Sequence, residues 1–293
     1  MTLIKANGIE IEVEVLAERG APLVLIMGLG SQLIQWPDDF CAQLVELGYR
    51  VIRFDNRDIG LSSHLDHLGV PPVRKIMARS LVGLPVNAPY NLSDMADDTA
   101  GRIRGLGLEA AHVVGVSMGG MIAQTLAIEH PTAVKSLVSI MSTTGERRHM
   151  VGRPRVLKSL TAPLPPTREA RIENTVEFFR LIAGGVFPFD EGYVRDLVTR
   201  SYDRGHHPAG FVRQLAAVVS SGSRRKKLPS IEAPTTVIHG TVDPLVPLSG
   251  GLATAEAIPN ARMQWIEGMG HSLPRGAWPA LIQAIHHNAQ RSP

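Results

Sequence analysis

Short apolar runs alternate with longer amphipathic segments along most of the chain. The run at 9–15 (IEIEVEV) alternates as a half-exposed strand would, and later runs are continuously apolar, which is typical of strands buried on both faces. These buried runs lie at 23–27, 50–55, 112–117, 135–142 and 235–240. Amphipathic segments that predict helices lie between them, at 38–47, 93–106 and 118–130. The alternation predicts an α/β fold with a mostly parallel central sheet flanked by helices.

The alternation stops between about residues 143 and 228. This region is rich in Arg and Pro and has amphipathic stretches such as REARIENTVEFFRLIAG, but no convincing buried strand. A last strand is expected at 262–266 and a terminal helix at about 276–290. We therefore predict one core made of residues 1–142 and 229–293, with residues 143–228 forming a helical cap, or lid, over it.

The composition is that of a globular protein with an extensive core, since 44% of the 293 residues are hydrophobic and 19% are charged. The 30 basic residues barely exceed the 27 acidic ones, so no nucleic-acid partner is indicated. The dense basic run at 224–227 (RRKK) is interpreted as a solvated loop.

Cysteine content and hydropathy limit the cellular context. The single cysteine, Cys41, allows no intramolecular disulfide and no cysteine metal cluster. The amino terminus lacks the continuous apolar stretch of a signal peptide, and no apolar run is long enough to cross a bilayer. We expect a cytoplasmic protein without membrane insertion. The sequence does not indicate an oligomeric state.

The segment 115–119 carries the first candidate for chemistry. Gly115-Val116-Ser117-Met118-Gly119 matches the G-x-S-x-G nucleophile elbow, and it stands between a predicted strand and a predicted helix. A nucleophile in such a tight turn needs small residues two positions before and after it, and the two glycines meet that need. The alternative is a glycine-rich turn whose serine merely caps the helix.

A serine hydroxyl needs a base to remove its proton, and the base needs a third group to orient it. In this arrangement the acid and the histidine follow the serine in the chain, each after a strand. Asp243 follows the strand at 235–240 and His271 follows the strand at 262–266, so they are the candidate acid and base. Asp243, next to a proline, could instead cap a turn. His239, at the end of its strand, is interpreted as structural.

Backbone N–H groups are the usual stabilisers of the oxyanion that forms during acyl transfer. Met118, directly after the serine, is one expected donor. The other is expected in the loop MGLG at 27–30, with Leu29 as first choice and Gly28 as second. The methionines near these segments could line an acyl pocket or fill the core; they are Met27, Met118, Met121, Met141 and Met269.

Two neighbouring features are interpreted as scaffolding. The loop DNRDIGLS, which contains Asp55, Arg57, Asp58, Gly60 and Ser62, is expected to be hydrogen-bonded beside the site and to contain a scaffolding ion pair. Trp36 is expected in the core or in a pocket wall.

Together these motifs resemble the series found in the α/β-hydrolase fold superfamily. The motifs are MGLG followed by Trp36, DNRDIGLS, GVSMGG, DPLVP and GMGH, and they span essentially the whole chain. Met27 stands where many members have histidine, and Asp58 stands where many have glycine. Both departures are similar to the branch of esterases that includes the aclacinomycin methylesterases.

The resemblance implies a serine carboxylesterase that cleaves small to medium-sized carboxylic esters through an acyl-enzyme. It implies the triad Ser117, Asp243 and His271, and no metal or organic cofactor. Serine at the elbow argues against dehalogenases and epoxide hydrolases, which have a carboxylate there. Three alternatives stay open: the same triad acting on lactone, thioester or carbon–carbon bonds; a ligand-binding protein of this fold with little turnover; and an anion or nucleic-acid binder that uses the run 224–227.

Overall fold

A single sheet organises the chain in the computed structural model, which describes residues 2–81 and 83–292. The described strands are β1 (Thr2–Ala6), β2 (Ile9–Val15), β3 (Ala21–Ile26), β4 (Tyr49–Phe54), β5 (Ala111–Val116), β6 (Val134–Ile140), β7 (Thr235–Gly240) and β8 (Arg262–Ile266). Their order across the sheet is β1-β2-β4-β3-β5-β6-β7-β8. β2 runs antiparallel to both of its neighbours, and the pairs from β4 to β8 are parallel. The predicted mostly parallel sheet is confirmed.

Helices connect the parallel strands. The described α-helices are α1 (Asp38–Glu46), α2 (Val73–Leu81), α3 (Leu92–Gly105), α4 (Met118–Glu129), α5 (Pro154–Leu160), α6 (Arg168–Ile182), α7 (Glu191–Gly205), α8 (Pro208–Ser220), α9 (Leu248–Ala257) and α10 (Trp278–Ala289). The predicted helices match α1, α3, α4, α6 and α10 to within two residues at each end. The apolar pattern does not predict α2 and α9.

The first strand of the β1–β2 hairpin is likewise not predicted by the apolar pattern. Its turn is Asn7-Gly8, with φ of 48° and 79°, so both residues lie in the left-handed region. Asn-Gly is the preferred pair for this kind of two-residue hairpin turn, because glycine and asparagine tolerate positive φ best. The dipeptide was therefore the available signal for a strand at Thr2–Ala6.

Apolar side chains fill both faces of the sheet. On one face, residues of α3 and α4 such as Met95, Ile122 and Leu126 form a core cluster with strand residues. On the other face, a second cluster contains Phe40 of α1 and Leu281 of α10. Every residue of β5, in the middle of the sheet, is buried. The end of β5 is therefore fixed from both sides, and Ser117 follows it directly.

Four helices, α5 to α8, lie between β6 and β7, and the described residues of 143–228 include no strand. α6 and α7 share a small hydrophobic cluster of their own, made by Ile172, Val176 and Val198. In contrast, Ala217 and Val218 of α8 belong to the main core cluster. α8 thus packs against the main core, unlike α6 and α7. No described helix is long and apolar enough to span a membrane.

The interpretation of 224–227 as a solvated loop is wrong for its first residue. Arg224 is only 6% exposed. Its guanidinium donates to the carbonyl of Thr143 at 2.8 Å and to the side-chain oxygen of Gln124 at 3.2 Å. These acceptors lie just after β6 and on α4, so the arginine satisfies polar groups at the core edge.

Candidate active site

Ser117 occupies the sharp turn between β5 and α4, with φ 56° and ψ −118°. This backbone conformation is strained for a residue with a side chain. A Cβ atom on Gly115 would collide with the carbonyl of Gly119, and one on Gly119 would collide with the carbonyl of Ile26. The predicted need for glycine at both positions is confirmed, since the backbones approach too closely for any larger residue.

The hydroxyl of Ser117 is not used to cap the helix. Ser117 stands at the N-cap position of α4, but within the described residues its side chain makes no capping hydrogen bond. The alternative interpretation, an incidental capping serine, is therefore wrong. The strained turn presents a hydroxyl that has no structural task in the helix.

Asp243 and His271 come together from the loops after β7 and β8. Oδ2 of Asp243 lies 2.7 Å from Nδ1 of His271, and both side chains are buried. The other carboxyl oxygen accepts hydrogen bonds from the amides of Leu245, at 2.9 Å, and Val246, at 2.8 Å. The carboxyl group therefore caps its own turn, as the alternative predicted, and also contacts the imidazole of His271.

His239 lies behind this pair. Its Nε2 lies 2.9 Å from the carbonyl of Val246 and 3.6 Å from Oδ2 of Asp243. Because the carbonyl can only accept, Nε2 carries the proton. Burial lowers the pKa of His239, although the nearby Asp243 opposes that shift. These contacts agree with the predicted structural role, because His239 holds the loop that carries Asp243.

Ser117 and His271 follow parallel strands of one sheet, so both lie at its carboxyl edge. Among the described residues, no hydrogen bond joins the Ser117 hydroxyl to the imidazole. Such contacts are often long in unliganded enzymes and shorten when substrate binds. The structure thus brings Asp243 and His271 into contact and leaves Ser117 unconnected to them.

The loop after β3 lies beside Ser117. A Cβ atom built on Gly28 would stand 3.2 Å from Cβ of Ser117 and 3.8 Å from its Oγ. The N–H of Gly30 donates to Oε1 of Gln214 at 2.9 Å and is therefore occupied. Met118 is the first residue of α4, so its N–H has no acceptor within the helix. Met118 and the 28–29 segment therefore remain the expected oxyanion donors.

The chain matches one protein-family profile over most of its length. The profile described as the alpha/beta hydrolase fold matches residues 21–274. The chain belongs to the α/β-hydrolase fold family. That span includes Ser117, Asp243 and His271.

Relatives of this α/β-hydrolase include several enzymes. It is 30% identical over 286 residues to the rhodomycin D methylesterase of Streptomyces peucetius, covering 90% of this chain and 89% of that protein. It is 31% identical over 264 residues to a 2-hydroxy-6-oxononadienedioate/2-hydroxy-6-oxononatrienedioate hydrolase of Cupriavidus pinatubonensis, covering 85% and 80%. The predicted likeness to methylesterases is confirmed.

Solved structures support the fold. The esterase from Exiguobacterium antarcticum superimposes on this α/β-hydrolase with a TM-score of 0.75 at 21% identity, over 99% of both chains. At that identity the likeness concerns the fold alone.

The loop 55–62 of this α/β-hydrolase is the predicted scaffold, and its partners come from α7 and α8. Asp55 accepts from the amide of Leu33 at 2.7 Å and pairs with Arg204 at 2.6 Å. Asp58 pairs with Arg213 at 2.7 Å, and neither side chain is exposed. Burial would raise the pKa of Asp58, but its hydrogen bonds, above all those from Arg213, hold that pKa below the ordinary value.

The remaining candidates serve the core. The five methionines considered as an acyl pocket are buried within the two core clusters, which favours core filling. Trp36 is fully buried and stacks on Phe40, with 5.9 Å between the ring centres.

Among residues 2–81 and 83–292, no group of three or more His, Cys, Asp and Glu side chains could hold a metal ion.

Proposed function

We propose that this α/β-hydrolase is a serine carboxylesterase whose triad is Ser117, Asp243 and His271. The observation that carries the proposal is the buried Asp243–His271 contact at 2.7 Å, at the same sheet edge as a serine in a strained elbow. Acyl transfer requires a preoriented imidazole and a hydroxyl without a structural task, and both follow strands at this edge of the sheet. The methylesterase relative supports an ester as substrate.

The mechanism has two halves. Ser117 Oγ attacks the ester carbonyl while His271 takes its proton, and the collapse of the tetrahedral intermediate passes that proton to the leaving alcohol. Water then attacks the acyl-enzyme by the same route and releases the acid. Asp243 fixes the tautomer of His271 and stabilises its charged form. The N–H groups of Met118 and Leu29 stabilise the oxyanion in both halves.

Residues 143–228 are proposed as the cap over this site. The carbonyl of Ile182, at the end of α6, accepts the backbone N–H of His271 at 2.7 Å. A Cβ atom on Gly270 would collide with the backbone of Ile182 and Ala183. The segment after α6 therefore lies directly on the loop that carries the proposed base.

A small to medium-sized ester, such as a methyl ester, is the substrate class that we propose.

Steady-state hydrolysis tests the proposal. p-Nitrophenyl esters of increasing acyl length, and methyl esters followed by acid release, are compared for the wild type and Ser117→Ala. We expect many turnovers by the wild type and a loss of several orders of magnitude in the variant. Circular dichroism and thermal unfolding show whether the variant keeps its fold. Equal activity of the two proteins would refute the role of Ser117.

The same experiment separates the alternatives. A ligand-binding protein of this fold would release at most one equivalent of p-nitrophenol and then stop. A wild type that is inactive on every ester but cleaves a lactone, a thioester or a carbon–carbon bond, with Ser117→Ala inactive, would keep the triad and change the substrate class.

A further inference from the structure

α8 lies on two loops of the proposed active site. A Cβ atom on Gly210 would collide with the carbonyl of Asp58, so the helix backbone approaches that loop closely. The ring of Phe211 covers Gly30, at 2.6 Å from where a Cβ would stand. Arg213 pairs with Asp58. One side of α8 is thus fixed against the loops that follow β3 and β4.

Gln214 joins these two loops to each other. Its side chain is fully buried, its Oε1 accepts from the N–H of Gly30 at 2.9 Å, and its Nε2 donates to the carbonyl of Arg57 at 2.8 Å. The amide orientation is fixed by chemistry, because an N–H can only donate and a carbonyl can only accept. Leaving either group buried and unpaired is unfavourable, so the bridge resists opening.

The bridged residue is next to the expected oxyanion donor. Gly30 follows Leu29, and its φ of 69° lies in the left-handed region. The peptide between Leu29 and Gly30 shares the Cα atom of Leu29 with the preceding peptide, which carries the N–H of Leu29. Only φ and ψ of Leu29 separate the two planes, so holding the first limits where the second can lie. Oxyanion stabilisation depends on donors that are oriented before the reaction starts.

We infer that Gln214 is a positioning residue for the oxyanion hole, which it holds from within the proposed cap. The inference rests on the proposed esterase function. It means that α8 supports the transition state, whereas the end of α6 contacts the loop of His271. A glutamine with a merely structural role would affect stability without a selective effect on transition-state binding.

Three variants test this inference. Gln214→Met keeps the length of the side chain and removes both hydrogen bonds. Gln214→Glu keeps the acceptor for Gly30 and, when protonated in its buried site, also a donor for Arg57. Leu215→Ala truncates a buried neighbour on the same helix that has no polar contact with either loop. Each variant is measured below its unfolding temperature for kcat, KM and inhibition by a trifluoromethyl ketone, which mimics the tetrahedral intermediate.

We expect Gln214→Met to lower kcat by about 10- to 100-fold with KM within about 3-fold, because a displaced donor acts in the transition state. Its affinity for the ketone should fall in parallel with kcat/KM. Gln214→Glu should retain most of kcat, and Leu215→Ala should lose thermal stability but keep both kcat and ketone affinity.

Two outcomes would overturn the inference. One is a Gln214→Met protein with wild-type kcat and ketone affinity; the other is a loss no larger than that of an equally destabilised Leu215→Ala. Both leave the esterase proposal standing, because the wild type and Ser117→Ala test it in the same assay. A wild type without ester hydrolysis would remove both proposals.

Discussion

The carboxylate of Asp243 holds three groups at once: the imidazole of His271 and two amides of its own turn. One oxygen is used by the turn and the other by the histidine. The position of the carboxylate is therefore set by the fold of its loop before any substrate arrives. This arrangement allows the effect of Asp243 on folding to be separated from its effect on the imidazole.

Asp243→Asn should lower kcat by about 10³–10⁴-fold with a change of less than about 1 kcal/mol in the free energy of unfolding. Asparagine keeps an oxygen for the two amides but turns an NH₂ group toward Nδ1 of His271, which favours the wrong tautomer. Ester hydrolysis and urea unfolding check the two parts. Asp243→Ala, the control, should also lose about 1–3 kcal/mol because the amides become unpaired. An Asn variant with wild-type kcat would contradict the proposed role.

Gly119→Ala should destabilise the protein by at least about 2 kcal/mol, because the added methyl group collides with the backbone carbonyls of Ile26 and Met27. Gly192→Ala is the matched control. Gly192 is exposed in the first turn of α7, and a Cβ there meets nothing closer than 3.7 Å. The control should gain about 0.5–1 kcal/mol from the better helix propensity of alanine. Similar effects of both changes on the thermal midpoint would show that the elbow tolerates a side chain.

Asp58→Asn should cost about 3 kcal/mol of unfolding free energy, because the buried Arg213 would keep only the exposed carboxylate of Asp66 as a charged partner. The pKa of Asp58 is lowered in the fold, so its stabilising effect is complete above about pH 4 and is lost as the pH falls through the lowered value. Urea unfolding between pH 3 and pH 7 should therefore show a flatter acid limb in the variant. Arg168→Gln breaks the exposed pair with Asp203 and should leave both the midpoint and the acid limb unchanged.

Stability should also fall as the pH is lowered from about 7.5 to 5.5. Burial lowers the pKa of His239 and of His112, so below about pH 6.5 the unfolded chain binds more protons than the folded one. His239→Gln should reduce this slope, since an amide can still donate to Val246 without titrating. Urea midpoints at several pH values measure the slope. A variant with the slope of the wild type would exclude His239 as a contributor.

Local patterns were sufficient to predict seven of the eight described strands and the turn at Ser117. Continuous apolar runs identified β3 to β7, and the spacing of Gly115 and Gly119 around Ser117 predicted a crowded turn that the structure confirms. The two glycines near the start of α9 are unfavourable in a helix, so the local pattern does not predict one. Gly250, Gly251, Ala253 and Thr254 are buried, which indicates that packing stabilises this helix.

Contacts between distant parts of the chain could not be predicted in this way. Arg224 lies in a basic run that is typical of an exposed loop. Its burial depends on its hydrogen bond to the carbonyl of Thr143, which is far from it in the sequence. Gln214 lies 184 residues from Gly30 in the chain, and no local pattern marks a helix residue that donates and accepts across two loops. The ion pairs of the loop at 55–62 with Arg204 and Arg213 could not be predicted for the same reason, because these arginines lie far from the loop in the sequence.

The separate hydrophobic cluster of α6 and α7 has a consequence for how this protein could diversify. Because that helix pair has its own interior, residues 168–181 and 191–203 can be exchanged without removing side chains from the main core, provided that Arg204 keeps its pair with Asp55. The same change in α8 would remove Ala217 and Val218 from it. The fold is modular in the α6–α7 half of this segment alone, so a directed library, or natural drift in substrate range, has its tolerant positions there.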